Sequence, residues 1–427
     1  PRVVALTAAN QQQAGGSLTL SLQVDQSAGQ REFYAATRMF STGVSDIPYD
    51  EAEAVEFTGP PTQLTGSEAD VLVVAHPDFT EQVAEWVTYR QGRDPELDIH
   101  VVEPQALYDW YSGGLKNPWA IKRLVNHGLE SPTWGTWALL LVGDANENPR
   151  ELGVPSAGDD WSRDWVPTHF HVQSIGQGLE PEVLASDEWF GYPYAGDELD
   201  FPEGNNVTDV PSLYIGRIPC NSPEEFARVL TKIQQVESDD GNQPWRRRGL
   251  FISDDAWSSG TLKAEGFTLA FRRTEVAFEQ SENEVLAQAW LNNAGMVPLT
   301  PDTVMLRPFM EPLHPDEDDV VTLSEARAFC QESDATEVLV NAFNAGGTLA
   351  HYQGHANHWL FAHESWFVDD RRSNYRTDVD LLTNVGRPWL FCGMGCHLGD
   401  FIQNVAGGAT AVDPNLGEKF LVWSDGG

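Results

Sequence analysis

The sequence predicts an α/β protein built on a mostly parallel sheet with helices on both faces, preceded by a small β-rich segment. Three observations carry this reading. Short apolar runs such as Asp70-Val71-Leu72-Val73-Val74-Ala75 read as strands buried on both faces. Amphipathic stretches at helical spacing alternate with those runs from about residue 67 onward. Residues 1–66 break the pattern, with alternating Ser17-Leu18-Thr19-Leu20-Ser21-Leu22 set among Gly, Pro and Gln clusters.

The elements follow in order. A helix capped at Thr80 carries Val83, Trp86 and Val87 on one stripe, and Ile99-His100-Val101-Val102 is the next strand. Pro118 sits in the first turn of a helix running toward Val125, and Trp137–Val142 is a strand ending at Gly143-Asp144. Residues 145–211 are acidic and aromatic with little periodicity, which reads as a functional insertion. Leu213–Gly216 returns to strand, and Ser222 with Glu225 signals a capped helix to Val236. Gly249–Ser253 is a strand ending in Asp254-Asp255. Helices are expected near 263–282 and 335–344, then strands over Gly347–Tyr352 and Pro388–Gly393. The expected division is 1–66, 67–240 with the insertion 145–211, and 241–427.

Composition narrows the function classes. The 427 residues carry 41% hydrophobic side chains, enough for a sizeable core, and no apolar run long enough to span a membrane as a helix. The formal charge of −38, with five lysines in all, argues against a nucleic-acid partner, because phosphate binding needs a basic surface. Such a charge suits a soluble surface in a salty medium or cation binding. Asp159, Asp160, Asp164, Asp187, Glu188, Asp197 and Glu198 crowd the insertion. They read either as a solvated acidic loop or as a Ca²⁺ site, with Asp187 and Glu188 as the candidate ligands, although the spacing matches no EF-hand. The opening Pro1-Arg2-Val3-Val4 shows no secretion signal and reads either as a processed product or as a fragment of something longer. Four cysteines, Cys220, Cys330, Cys392 and Cys396, are too few for a disulfide scaffold.

The chemistry concentrates after the last two expected strands. One reads Tyr352-Gln353-Gly354-His355-Ala356-Asn357-His358-Trp359, the other Cys392-Gly393-Met394-Gly395-Cys396-His397-Leu398-Gly399-Asp400-Phe401. If the strands are neighbours, His355 and Cys396 meet across the gap, and the imidazole accepts the thiol proton to give a nucleophilic thiolate. Glycines beside both positions let a substrate backbone approach, and the N–H groups of Ala356 and Cys396 can share an oxyanion. Two other readings stand beside this one. His351, His355, His358 and His363 crowd thirteen residues and offer zinc ligands for a hydrolase. A catalytically silent scaffold is the other, against which the intact Cys396 and His355 count. Asp254 and Asp255 read either as helix-capping acids or as the group that orients the base. His358 and His363 otherwise read as solvated loop residues, and Cys392, Cys220 and Cys330 as packing thiols.

These motifs resemble the gingipain family of cysteine peptidases. Tyr352-Gln353-Gly354-His355 with Trp359 is similar to that family's catalytic-histidine run, and Cys396-His397-Leu398-Gly399-Asp400-Phe401 to its catalytic-cysteine run. Leu140–Asp144, Ser186–Gly191 and Gly216–Cys220 match further family segments in the same order. The resemblance covers about residues 67–427 and implies a caspase-like fold with Cys396 as nucleophile and His355 as base. It implies an acid at Asp255, or Asp254, to orient the histidine, and an oxyanion hole from Ala356 and Cys396. It also implies a substrate pocket at Glu265 and Trp359, where an acid favours a basic residue before the cleaved bond, although Glu265 reads equally as a solvated glutamate in the first turn of a helix. A protein or peptide substrate cleaved through a thioester acyl-enzyme, no cofactor for the chemistry, Ca²⁺ as a structural ion, a location outside the cytoplasm and a pro-segment remnant in residues 1–66 go with it. Two departures stand out: Ala356 replaces the family's Gly, and the chain stops where the family continues with further core strands. A separate, processed C-terminal chain is the expectation drawn from the latter.

Overall fold

The computed structural model describes residues 11–14, 17–20, 69–130, 135–146, 164–173, 182–192, 211–238, 241–255, 257–261, 268–273, 278, 300–313, 321–371, 376–403 and 414–423. Among the described residues the parallel strands form two four-stranded sheets, one in each half of the chain, beside smaller two- and three-stranded sheets.

The first half begins with β1 (Val71–Ala75), followed by helix α1 (Thr80–Arg93), β2 (Ile99–Val102), helices α2 (Pro104–Tyr111) and α3 (Pro118–Glu130), β3 (Ala138–Val142), β4 (Tyr214–Ile218) and helix α4 (Pro223–Ser238). The spatial order β2-β1-β3-β4 puts the most apolar strand in the middle, and all five residues of β1 are buried. One face packs on α2 and α3 through Leu107, Ile121 and Leu124, the other on α1 and α4 through Val83, Trp86 and Phe226. Helices therefore cover both faces, as the runs of apolar strand residues require. Thr80 is not the cap of α1. A short 3₁₀ turn, Pro77–Phe79, precedes it, and the Thr80 hydroxyl bonds back to the Pro77 carbonyl. Ser222 does cap α4, its Oγ accepting the Glu225 N–H at 3.2 Å, while the Glu225 carboxylate reaches back to the Asn221 N–H at 2.6 Å and not to that of Ser222.

The second half holds β5 (Arg248–Ser253), β6 (Thr300–Met305), helices α5 (Leu323–Glu332) and α6 (Ala335–Asn344), β7 (Leu349–Gln353), β8 (Leu390–Met394) and α7 (Leu416–Val422). Its order is β6-β5-β7-β8. Leu250, Ile252, Ala350 and Tyr352 are fully buried in one core with Leu339, Phe361, Trp366 and Phe367. The helix expected near 263–282 is replaced at Thr268–Arg273 by a strand. It pairs antiparallel with Trp257–Thr261 and with Val321–Thr322, so ladder hydrogen bonds from two neighbours override the local helical spacing. No helix follows Asp254-Asp255, which removes the capping explanation for that pair.

The two halves interlock near the C-terminus. Ile402–Gln403 pairs in parallel with Ala145–Asn146 of the first half. Helix α7 lies on α4, where Arg228 Nε and Lys232 Nζ donate to the Val422 and Phe420 carbonyls at 2.7 and 2.9 Å. Within the expected β-rich segment, Gln11–Ala14 pairs antiparallel with Ser17–Leu20. Among the described residues no helix is long and apolar enough to cross a membrane.

Candidate active site

Parallel pairing sets the site. Gln353 at the end of β7 stands opposite Met394 at the end of β8, and Ser253 at the end of β5 stands opposite Gln353. The ladder runs one step further, since Gly354 N–H donates to the Met394 carbonyl and Asp254 N–H to the Gln353 carbonyl. His355 and Cys396 each follow the paired residues by two positions. Asp254 and Asp255 follow Ser253 directly. Three neighbouring strands, spaced about 4.8 Å apart, thus deliver an acid pair, an imidazole and a thiol to one edge of the sheet. That edge is the carboxyl end of the strands, where open α/β sheets carry their sites.

The loops come together because both lack bulk. A methyl group at Gly395 would stand 2.6 Å from Ala356 Cβ and 3.2 Å from the Gly354 carbonyl oxygen. A methyl group at Gly354 would collide with the Asp254 side chain. Both positions admit only glycine without displacement of a neighbouring loop. Cys396 is exposed and free, whereas Cys220 and Cys330 are buried. Burial pushes the Cys330 thiol up to about 12 and that of Cys220 higher still, so both are held as neutral packing groups.

The two aspartates take different tasks. Asp254 Oδ2 accepts the backbone N–H of His355 at 2.8 Å, and its Oδ1 accepts the N–H of Asp255 at 2.8 Å. Asp255 Oδ1 accepts the Trp257 N–H at 2.8 Å, and the residue is 2% exposed. Asp254 therefore fixes where the His355 backbone stands. The Tyr352 hydroxyl donates to the His355 carbonyl at 2.5 Å and accepts the Ala362 N–H at 3.2 Å, clamping the same residue from the other side.

The ring of His355 is held by aromatic contacts. His363 stacks on it at 4.1 Å with an interplanar angle of 16°, and Phe278 meets it edge-on at 5.2 Å. His363 is thus a half-buried partner of His355 and not a solvated loop residue. Burial first, then the neighbouring His355 ring and Arg327, lower its pKa to about 4, so the stacking partner stays neutral near pH 7. Nothing but a conspicuous excess of histidine in this stretch signalled it in the sequence. Behind them, Glu364 is fully buried with both carboxylate oxygens unpartnered, in a cluster with Asp254 and Asp255. Burial first, then Asp255 and Asp254, hold its carboxyl well above the usual carboxylate range.

Ala356 begins a short antiparallel pair with Phe361, and the turn beyond it is shaped by Asn357, whose Oδ1 accepts the N–H groups of Trp359 and Leu360 at 2.8 and 3.1 Å. Trp359 is half-buried on that turn, its ring 5.0 Å from His358. Glu265 lies outside the described residues, as do Asp159, Asp160, Asp197 and Glu198. The four clustered histidines do not assemble into one zinc site. His351 lies within β7, paired with Phe251 and Cys392, and along a strand its partner four residues on is roughly 13 Å away. His358 turns instead to His397 and Asp400. His358 is half-buried, so it too departs from the solvated-loop reading.

Asp187 and Glu188 stand in the first half, apart from the sheet edge that carries Cys396. Arg217, at 4% side-chain exposure, donates to Asp187 through Nε and Nη2 at 2.6 and 2.8 Å and to the Gly143 and Val166 carbonyls at 2.7 and 2.8 Å. Thr168 Oγ1 completes the set on Asp187 at 2.8 Å, and Glu188 accepts the Tyr192 hydroxyl. The expected calcium role does not fit these contacts, because the Asp187 carboxylate neutralises a buried arginine. Arg217 also lies 4.7 Å over the Phe401 ring. Three matched segments thus meet through Gly143, Asp187 and Arg217, and Arg217 carries them to the Phe401 ring of the run that follows Cys396. The sequence offered no sign of that convergence.

A sequence model described as peptidase family C25 matches residues 64–427. Among solved structures, the Arg-specific cysteine proteinase gingipain R (RGPB) is similar at 20% identity and a TM-score of 0.48, covering 84% of this chain and 60% of its own. The complex of Porphyromonas gingivalis RgpB pro- and mature domains is similar at 19% identity and 0.46, with the same coverage of 84% and 60%. Dimeric latent PorU from Porphyromonas gingivalis matches at 19% identity and 0.34, over 46% of this chain and 18% of its own. The chain spans about 60% of the length of the two RgpB structures it resembles. No curated protein sequence is significantly similar to it.

Proposed function

Since the chain belongs to peptidase family C25, we propose that it is a cysteine endopeptidase in which Cys396 attacks the scissile carbonyl and His355 moves the proton. The observation that carries the reading is the matched height of the two residues, each two positions past the Gln353–Met394 pair on adjacent parallel strands. His355 takes the Cys396 proton, and the thiolate adds to the carbonyl carbon, with the N–H groups of Ala356 and Cys396 facing the oxyanion. Collapse breaks the C–N bond, and the imidazolium gives its proton to the departing amine. A water molecule, deprotonated by His355, then hydrolyses the thioester and frees Cys396 as a thiol. The stacked neutral His363 and the backbone clamps from Asp254 and Tyr352 keep the imidazole in place without a competing positive charge. This chemistry needs no cofactor.

The finer parts of the proposal rest on the motif resemblance. By that resemblance Trp359 and Glu265 are the residues proposed to recognise the residue before the cleaved bond, and a carboxylate in that role favours arginine or lysine. The enzyme works outside the cytoplasm, a setting its strongly acidic surface suits, and residues 1–66 act as the remnant of a pro-segment. Peptide-library cleavage read by mass spectrometry tests the core of the reading, with the intact protein and Cys396→Ala side by side. Cleavage by the intact protein alone, after basic residues, is the expected result. Equal cleavage by both removes Cys396 from the mechanism.

A further inference from the structure

Beside the Cys396–His355 pair lies a second group of side chains that the peptidase chemistry does not use. His358 Nε2 stands 3.0 Å from Asp400 Oδ2, and His397 Nδ1 stands 3.4 Å from the same oxygen. The two imidazoles face one another at 4.6 Å with an angle of 21° between planes. One ligating atom from each of the three residues falls within 4.8 Å of the other two. Four ligands around zinc at about 2.0–2.1 Å lie roughly 3.3 Å from one another when tetrahedral. The spacings at Asp400 match that figure.

The donor set and the surroundings both point to a borderline metal. Two imidazoles and one carboxylate suit Zn²⁺ and its neighbours, whereas Ca²⁺ and Mg²⁺ prefer an all-oxygen shell. Three protein ligands leave one position open to water. The backbone is anchored on both sides: Leu416 N–H donates to the His358 carbonyl at 2.7 Å, and Asn415 Nδ2 donates to the Asp400 carbonyl. His397 holds a left-handed backbone, φ 58°, a conformation that a side-chain-bearing residue keeps only where its surroundings impose it. That conformation belongs to the turn in which its ring stacks on His358.

We infer that His358, His397 and Asp400 form a binding site for a divalent transition metal of the zinc class, which clamps the loop after His355 to the loop after Cys396. The clamp links the two loops whose separation sets the catalytic pair, yet binding itself does not depend on the peptidase reading.

The test uses the Cys396→Ala protein, which removes the thiolate as a rival zinc ligand and takes activity out of the readout. Zn²⁺ is titrated in competition with a chromophoric chelator, and Co²⁺ replaces it for absorption spectroscopy. One tightly held equivalent is expected, with a Tm that rises with free Zn²⁺ and a Co²⁺ spectrum of tetrahedral nitrogen–oxygen ligation. His358→Ala or His397→Ala, in the Cys396→Ala background, weakens binding by more than the about 10–100-fold that loss of an outer-shell partner costs. His363→Ala leaves it unchanged. Should either alanine variant fold poorly, His358→Gln and His397→Gln replace them, and the Co²⁺ spectrum of the parent stands independently. Absence of a bound equivalent, binding insensitive to His397, or binding that disappears with His363→Ala overturns the inference.

Discussion

Asp254 holds His355 by its backbone: Oδ2 accepts the His355 N–H at 2.8 Å while Oδ1 accepts the N–H of Asp255. Both carboxylate oxygens are committed, so the side chain ties the end of β5 to the loop after β7. Asp254→Ala releases that loop, and displacement of a catalytic group by about 1 Å costs about a hundredfold in rate. The expected outcome is a fall in kcat of that order with little change in KM. Asp254→Asn offers one acceptor for two donors and restores only part of the rate. Steady-state kinetics on a peptide substrate check both, and an unchanged kcat in Asp254→Ala removes the positioning role.

Gly395 tests how closely the two loops must approach. Its added methyl group would press on Ala356 Cβ at 2.6 Å and on Leu398 Cδ1 at 3.0 Å. Gly395→Ala is expected to cost about 1–3 kcal/mol of stability, the usual penalty of overpacking, and to lower kcat by separating Cys396 from His355. Urea unfolding and kinetics on the same preparation read the two effects. Wild-type values of both would show that the loops give way freely.

Arg217 gathers the first half against Phe401. Removing its charge leaves the mostly buried Asp187, 12% exposed at its side chain, beside two carbonyls, and an orphaned buried charge costs about 3–5 kcal/mol. Arg217→Met is expected to destabilise by that amount. Arg217→Lys recovers little, because an ammonium cannot replace the bidentate fork. Thermal unfolding of the two variants distinguishes the fork from simple charge.

Glu364 makes stability depend on pH. Its carboxyl is held protonated in the fold by burial and by Asp255 and Asp254, while in the unfolded chain it ionises near 4.5. The unfolded state therefore releases the proton first as pH rises, and stability falls from about pH 4.5 upward. Glu364→Gln removes this dependence, so the variant gains on the parent as pH rises. Denaturant unfolding at pH 5 and pH 8 checks the sign. An equal difference at both values means that Glu364 does not carry the proton.

The candidate site was legible in outline because the residues proposed for its chemistry sit at the ends of readable strands. Leu349–Gln353 and Leu390–Met394 announce themselves by apolar content, and His355 and Cys396 follow each at equal distance. The sequence also separated Cys396 from the buried Cys220 and Cys330. Local pattern failed where neighbours decided. Thr268–Arg273 became a strand through pairing on two sides, and the order of strands within each sheet stayed open because strand content does not state which strands pair.

Taken alone, the sequence determined the α/β class, the strand ends, and the thiol and imidazole that lie beyond them, since each follows from local periodicity and residue chemistry. Tertiary structure alone decided the Gln353–Met394 register, the hold of Asp254 on His355, the stacking of His363 and the pairing of Asp187 with Arg217. Each of these joins residues from separate strands or loops. Their distances depend on how β5, β7 and β8 align and on how the loops after them fold back, quantities that hydrophobic patterning leaves open.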